Sequence, residues 1–313
     1  LNILIKLEDE IINFDAEQRK AAITLVNGPQ RIRGLAGSGK TVLLRGMLEE
    51  VLKVQGGAFI IDAKGTIDEI KRFLGLVYMY GREDDLLLVN FTNLSNTNTI
   101  NFLSYGDALS LKEILIVLAS ATDEKWKQVD DDFISNLLKL LVWKRDNEGL
   151  ILTIKVLRDY LVLPKLVNEA FKYRKVRDRN IEDYNRYVIT KIEMEYVEIL
   201  NAGDDKIESL KKTALENAKN TDFQGVYEAG LSAGNWNGVL TTLGSDYGAI
   251  FNVEYPDIDL LNAIQTNKII LVSLPTMKSE ETAKKLGKLL LGIIKSVADK
   301  KILMPEPKIP FPF

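Results

Sequence analysis

The sequence predicts an α/β chain, a parallel sheet with helices on both faces that is interrupted by an all-helical inserted domain. Three observations predict it. Short, apolar, non-alternating runs of the kind that form strands covered on both faces occur towards both ends of the chain. A glycine-rich loop stands between a strand-like segment and a helical one. From about residue 107 to 244 the strand signals vanish and helical periods take over. The expected parts are therefore 1–106 and 245–313 for the sheet domain and 107–244 for the insertion.

The first elements carry the chemistry. Gln30-Arg31-Ile32-Arg33 reads as a short strand, and Val42 to Val54 reads as a helix. The octapeptide between them, Gly34-Leu35-Ala36-Gly37-Ser38-Gly39-Lys40-Thr41, meets every fixed position of the Walker A loop, G-x-x-x-x-G-K-[ST]. The sheet domain is thus expected to have the P-loop NTPase fold. Gly34, Gly37, Ser38 and Gly39 let backbone N–H groups curl around phosphates, Lys40 reaches the β and γ oxygens as the candidate catalytic residue, and Thr41 is the candidate Mg²⁺ ligand. ATP and Mg²⁺ are the expected cofactors.

Three further strands are expected at Ala58-Phe59-Ile60-Ile61-Asp62, at residues 86–91 and at residues 268–274. A helical stretch from Ile67 to Tyr80 and a turn at Gly81-Arg82-Glu83-Asp84-Asp85 make the first two a β-α-β unit. Asp62 closes the first of these strands, at the end of the sheet where ligands bind in open α/β folds, and is a candidate cofactor-binding residue. The other reading of this segment is a helix-capping turn with Thr66 or Asp62 as the cap. Within the insertion, Phe133, Leu137, Leu140 and Leu141, and then Ile154, Leu157, Tyr160 and Leu161, recur at helical spacing. A last helix from Glu280 to Lys301 places Leu286, Leu289, Leu290, Ile293 and Val297 on one face.

Two other clusters invite a functional reading. Lys172, Arg174, Lys175, Arg177 and Arg179, interleaved with Phe171 and Tyr173, offer phosphate contacts with aromatic stacking, or else a solvated basic face. Asp130-Asp131-Asp132 does not put its carboxylates on one helix face, so a metal site is not expected. A helix start favoured by the macrodipole is the reading taken.

Composition narrows the function. The 313 residues are 46% hydrophobic and 27% charged with a formal charge of −3, which gives no global basic field for nucleic acid. With no cysteine and no histidine there is no disulfide framework, thiol nucleophile, zinc site of the usual kind or histidine-based triad. No segment offers about 18 consecutive apolar residues, so no membrane span is expected, and a cytoplasmic compartment is the reading.

Residues 42–313 resemble the motor domain of the type IV secretion coupling proteins, the TraD/TraG family within the HerA/FtsK group. The resemblance is carried by residues 56–65, by Gly81 to Asp85, by Asn98-Thr99-Ile100-Asn101-Phe102 and by residues 269–275. It implies an α/β ATPase domain with an all-helical insertion, homohexameric rings, and ATP hydrolysis that drives substrate into a secretion channel. The implied partners are DNA or a relaxase or effector protein, and channel components. The implied place is the inner face of the membrane. Where that family has an acidic residue, this chain has Thr66.

Residues 1–41 instead resemble the start of UvrD-like superfamily 1 helicases, in which the residue matching Gln18 reads adenine; a glutamine amide offers donor and acceptor side by side. A helicase ATP-binding domain is the first alternative, and a hydrolysis-deficient recruiting module the second. The two resemblances meet at the Gly-Ser-Gly-Lys-Thr core, which raises the hypothesis of a natural recombinant or of an assembly join between two P-loop genes. Residues 307–313 resemble the run-up to the coupling proteins' Walker B strand, and the acidic pair expected next is not in the sequence. Weak ATP binding and poor hydrolysis by this polypeptide alone are expected on that ground.

Overall fold

The computed structural model describes residues 40–119 and 124–302, and these divide into two compact units. One comprises described residues up to 98 together with 257–287; the other comprises 99–256 with 288–300. The expected strand at residues 30–33 lies outside the described residues.

The first unit is α/β. Its elements are α1 (Lys40–Lys53), β1 (Ala58–Asp62), α2 (Ile67–Met79) and β2 (Leu86–Asn90), followed much later in the chain by α12 (Leu260–Gln265) and β3 (Ile269–Ser273). Among the described residues the sheet is three-stranded and parallel, in the order β1-β3-β2. The β-α-β unit from Ala58 to Asn90 therefore does not close on itself: β3 occupies the position between its two strands. β3 is buried at every residue, as a central parallel strand must be. Ile60, Phe73, Leu76, Val77, Ile269 and Leu271 form the core on the α2 side, with Leu48 and Leu52 of α1.

One guanidinium ties the three strand beginnings together. Arg82 is 4% exposed and donates to the carbonyl of Gly56 ahead of β1, to the carbonyl of Asn267 ahead of β3 (2.6 Å), and to Asp85 immediately ahead of β2 (3.0 Å). Lys268 Nζ adds a second cation to Asp85 at 2.8 Å. Burial pushes the Asp85 carboxyl up, but hydrogen bonds from Lys268 and Arg82 outweigh it and hold the pKa below the ordinary value.

The second unit is helical. It contains α3 (Ala108–Ile116), α4 (Glu124–Glu148), α5 (Ile154–Asp159), α6 (Leu163–Lys172), α7 (Arg179–Lys191), α8 (Tyr196–Asn201), α9 (Asp204–Asn217), α10 (Gln224–Asp246) and α11 (Gly248–Phe251). The helix α13 (Glu280–Ile302) contributes residues 288–300. The long α4 packs on α3, α7 and α10. Its Phe133, Leu137, Leu140 and Leu141 are buried, as are Leu286, Leu289, Leu290, Ile293 and Val297 of α13. Tyr160 and Leu161 are buried too, although α5 ends one residue before them.

One reading of the helical part needs correction, and of the two readings of the basic stretch the solvated face is the one that fits. Asp130 to Asp132 do not start a helix, because α4 already begins at Glu124. Asp130 is buried instead: its carboxylate accepts from Asn235 Nδ2 (3.1 Å) and its carbonyl from Trp236 Nε1 (3.0 Å), both on α10. In the basic stretch, Phe171 and Tyr173 are buried and cannot stack on bases, whereas Lys172, Lys175, Arg177 and Arg179 are exposed. Of these residues only Phe171 and Lys172 share α6; Tyr173 turns inward just past its end, and Lys175 and Arg177 of the loop that follows stay at the surface.

A buried ion network stitches α4 to α6. Lys144 Nζ donates to Tyr160 Oη (3.0 Å) and Glu169 Oε2 (2.9 Å), and lies over the rings of Tyr160 and Tyr173. Burial opposes the Lys144 charge, but the hydrogen bonds to Tyr160 and Glu169 outweigh it and hold its pKa above that of an ordinary lysine. Tyr173 Oη donates to Glu148 (2.6 Å), and this bond lowers the Glu148 pKa.

Candidate nucleotide site at the sheet's carboxyl edge

Gln18, Gly34, Gly37, Ser38 and Gly39 lie outside the described residues. Of the loop, Lys40 and Thr41 are the first two residues of α1. A helix that begins there leaves the N–H groups of its first turn without intrahelical acceptors, and the helix dipole adds partial positive charge. That is the backbone arrangement a phosphate needs.

Asp62 is placed where the sequence put it, at the carboxyl end of β1. Its register partners are unexpected. Ser273 of β3 lies beside it, and Asn90 of β2 lies beside Ser273, so Asp, Ser and Asn form one row across the edge of the sheet. Adjacent members of such a row are about 4.8 Å apart. All three are buried.

The two outer members organise the loops that leave the strands. Asp62 Oδ1 accepts from the N–H of Lys64 and Oδ2 from that of Gly65, each at 3.0 Å. Asn90 Oδ1 accepts from the N–H of Thr92 (3.1 Å), the hydroxyl of Thr92 (2.6 Å) and the N–H of Asn93 (3.0 Å). Thr66, the residue before α2, makes no capping bond with its side chain. Of the two residues considered for the turn, Asp62 is the one whose side chain makes it. The central Ser273 hydroxyl is buried with no hydrogen-bond partner among the described residues.

Gly65 is fixed by space as well as by conformation. Its φ is +61°, and a Cβ there would lie 2.0 Å from the Leu274 carbonyl oxygen. Leu274 in turn donates its N–H to the carbonyl of Asp62 (3.0 Å), and the Thr276 hydroxyl donates to the carbonyl of Ala63. The Asp-Ala-Lys-Gly turn after β1 is thus pressed against the chain leaving β3.

Asn90 and Ser273 were missed as members of this edge. A signal was available: each apolar run carries a small polar residue at or just before its end, Asp62, Asn90 or Ser273. Which of them become neighbours depends on strand order.

No profile of a known protein family matches the chain. The chain nevertheless resembles the type IV coupling proteins. The relative that carries this is the type 4 coupling protein DotL of Legionella pneumophila, strain Philadelphia 1, which is 26% identical over 287 residues, 85% of this chain. The chain spans about a third of the length of that relative (35%).

Proposed function

We propose that the chain is the ATP-binding motor segment of a type IV secretion or conjugation coupling protein. The observation that carries the reading is the likeness to a coupling protein running along most of the chain, with a Walker A loop leading into α1. In this reading the α/β unit has the P-loop NTPase fold and the helical unit is its inserted domain. Gly34, Gly37, Ser38 and Gly39 wrap the phosphates, Lys40 holds the β and γ oxygens, and Thr41 ligates Mg²⁺. Gln18 reads the adenine edge. Bound Mg²⁺ would neutralise charge on the transferring phosphate. Asp62 keeps the loop after β1 in place beside the nucleotide.

The further steps belong to the same proposal. ATP hydrolysis passes DNA, a relaxase or an effector protein to channel components, through a homohexamer at the inner face of the membrane. Among the described residues no helix is long and apolar enough to cross a membrane.

The test is binding of a fluorescent ATP analogue with Mg²⁺, followed by anisotropy, in the wild-type chain and in Lys40→Ala. Loss of a desolvated phosphate contact to a cation should weaken affinity by roughly tenfold or more, about 1.4 kcal/mol or above. Equal affinity in the two proteins would overturn the assignment.

A further inference from the structure

We infer that the α/β unit carries a docking pocket for an acidic, hydrophobic peptide segment of a partner protein, seated beside the carboxyl end of β2. The cavity is about 430 Å³. That falls in the size range of binding pockets, roughly 300–1,000 Å³. Its floor is apolar, built by Ile70 and Leu74 of α2 and Leu88 of β2. Met277 and Ile67 stand at its mouth, 81% and 68% exposed. Two large apolar side chains held in water beside an apolar floor are the anchors a partner side chain would cover. Methionine adapts its shape to varied partners.

The rim sets the charge of the occupant. Lys71 makes no hydrogen bond or ion pair with any described residue, and Lys278 Nζ donates only to the carbonyl of Thr92 (3.0 Å). Neither lysine meets a carboxylate among the described residues. Asn90, 5% exposed, also lines the pocket. Because its Oδ1 accepts three bonds from Thr92 and Asn93, the amide is locked in orientation, and its Nδ2 remains a donor without a partner among the described residues. The start of α2 at Ile67, with no side-chain cap, adds first-turn N–H groups to the same rim. Two cations, one oriented amide and one helix start around an apolar floor fit a carboxylate next to a large apolar side chain. Among the described residues no aromatic ring lines the cavity, so they offer no platform for base stacking. The inference does not depend on nucleotide binding at Lys40.

The experiment uses the whole 313-residue chain without nucleotide. Fluorescein-labelled twelve-residue peptides with aspartate and leucine or phenylalanine in all short arrangements are titrated by anisotropy, alongside matched sets with lysine for aspartate and with serine for the apolar residues. Acidic-apolar members should bind, and both control sets should not. Met277→Glu and Lys71→Glu are surface changes that leave the core intact. Each should weaken binding about fivefold or more, and Lys71→Glu should also flatten the salt dependence. Absence of binding by every acidic-apolar peptide, equal binding by the lysine set, or binding unmoved by both variants would overturn the inference. A failure here leaves ATP binding untouched, and a failure of ATP binding leaves this site untouched, because the two are read by different probes.

Discussion

Replacing Arg82 by methionine keeps most of the apolar stem and removes the guanidinium from the point where three strands begin. The lost bonds are those to the Gly56 and Asn267 carbonyls and the ion pair with Asp85, which is 2.9 Å from Nη2. Hydrogen bonds from a charged donor contribute about 1.5–3 kcal/mol each. Gly56 and Asn267 are only half buried, so water can replace part of each bond and the lower end applies. A part-exposed ion pair adds about 0.5–1 kcal/mol, giving roughly 3–4 kcal/mol for the substitution. Asp85 shares Lys268, which limits its own loss.

The assay must see this unit alone. All three tryptophans, Trp126, Trp143 and Trp236, belong to the helical unit, so indole fluorescence does not report the sheet. Hydrogen exchange of the Ile269–Ser273 amides does. A loss of that size accelerates their exchange by roughly two to three orders of magnitude, and Arg82→Lys should fall between. The Asp85 pKa is held below its ordinary value, so the ion pair contributes at pH above about 4 and is lost as the pH falls below that. Exchange in Arg82→Met within a few-fold of wild type at neutral pH would refute the reasoning.

Lys144→Met leaves the Glu169 carboxylate in a half-buried place without its cation, and should destabilise the helical unit by about 3 kcal/mol in urea unfolding followed by indole fluorescence. Lys144 has a folded-state pKa raised above the ordinary value. Its contribution is therefore complete below about pH 10.5 and fades as the pH climbs towards the folded-state value, so wild type and variant should converge in alkaline melts. Gly65→Ala meets both a left-handed backbone and the Leu274 carbonyl; a loss of about 3 kcal/mol, read as faster exchange of the Leu274 amide, is expected. Lys40→Ala should lose ATP affinity as described above, with unchanged circular dichroism.

Much of the α/β unit was legible because its signals are local. Apolar runs at 58–62, 86–91 and 268–274 mark strands that must be covered on both faces, and the structure has strands at Ala58–Asp62, Leu86–Asn90 and Ile269–Ser273. The faces of α4 and α13 follow from spacing alone, since every predicted face residue is buried. The Walker A loop is a statement of sequence, and its glycines lie outside the described residues. What the sequence misjudged has a common cause. Asp130 to Asp132 look like an exposed helix start, yet a neighbouring helix supplies Asn235 and buries Asp130. Likewise Phe171 and Tyr173 look available among five cations until packing takes them inside.

The sequence by itself determined where the three described strands fall, which helix faces turn inward, where a Walker A motif stands, and that chemistry by cysteine or histidine is absent from these residues. Only the tertiary structure decided that β3 lies between β1 and β2, that Asp62, Ser273 and Asn90 share one register, and that Arg82 gathers the three strand beginnings. The reason is that backbone hydrogen bonding is the same for every strand. Apolar patterning tells a strand to be covered, but it does not say which other strand lies beside it; that choice is made by the packing of side chains distant in sequence.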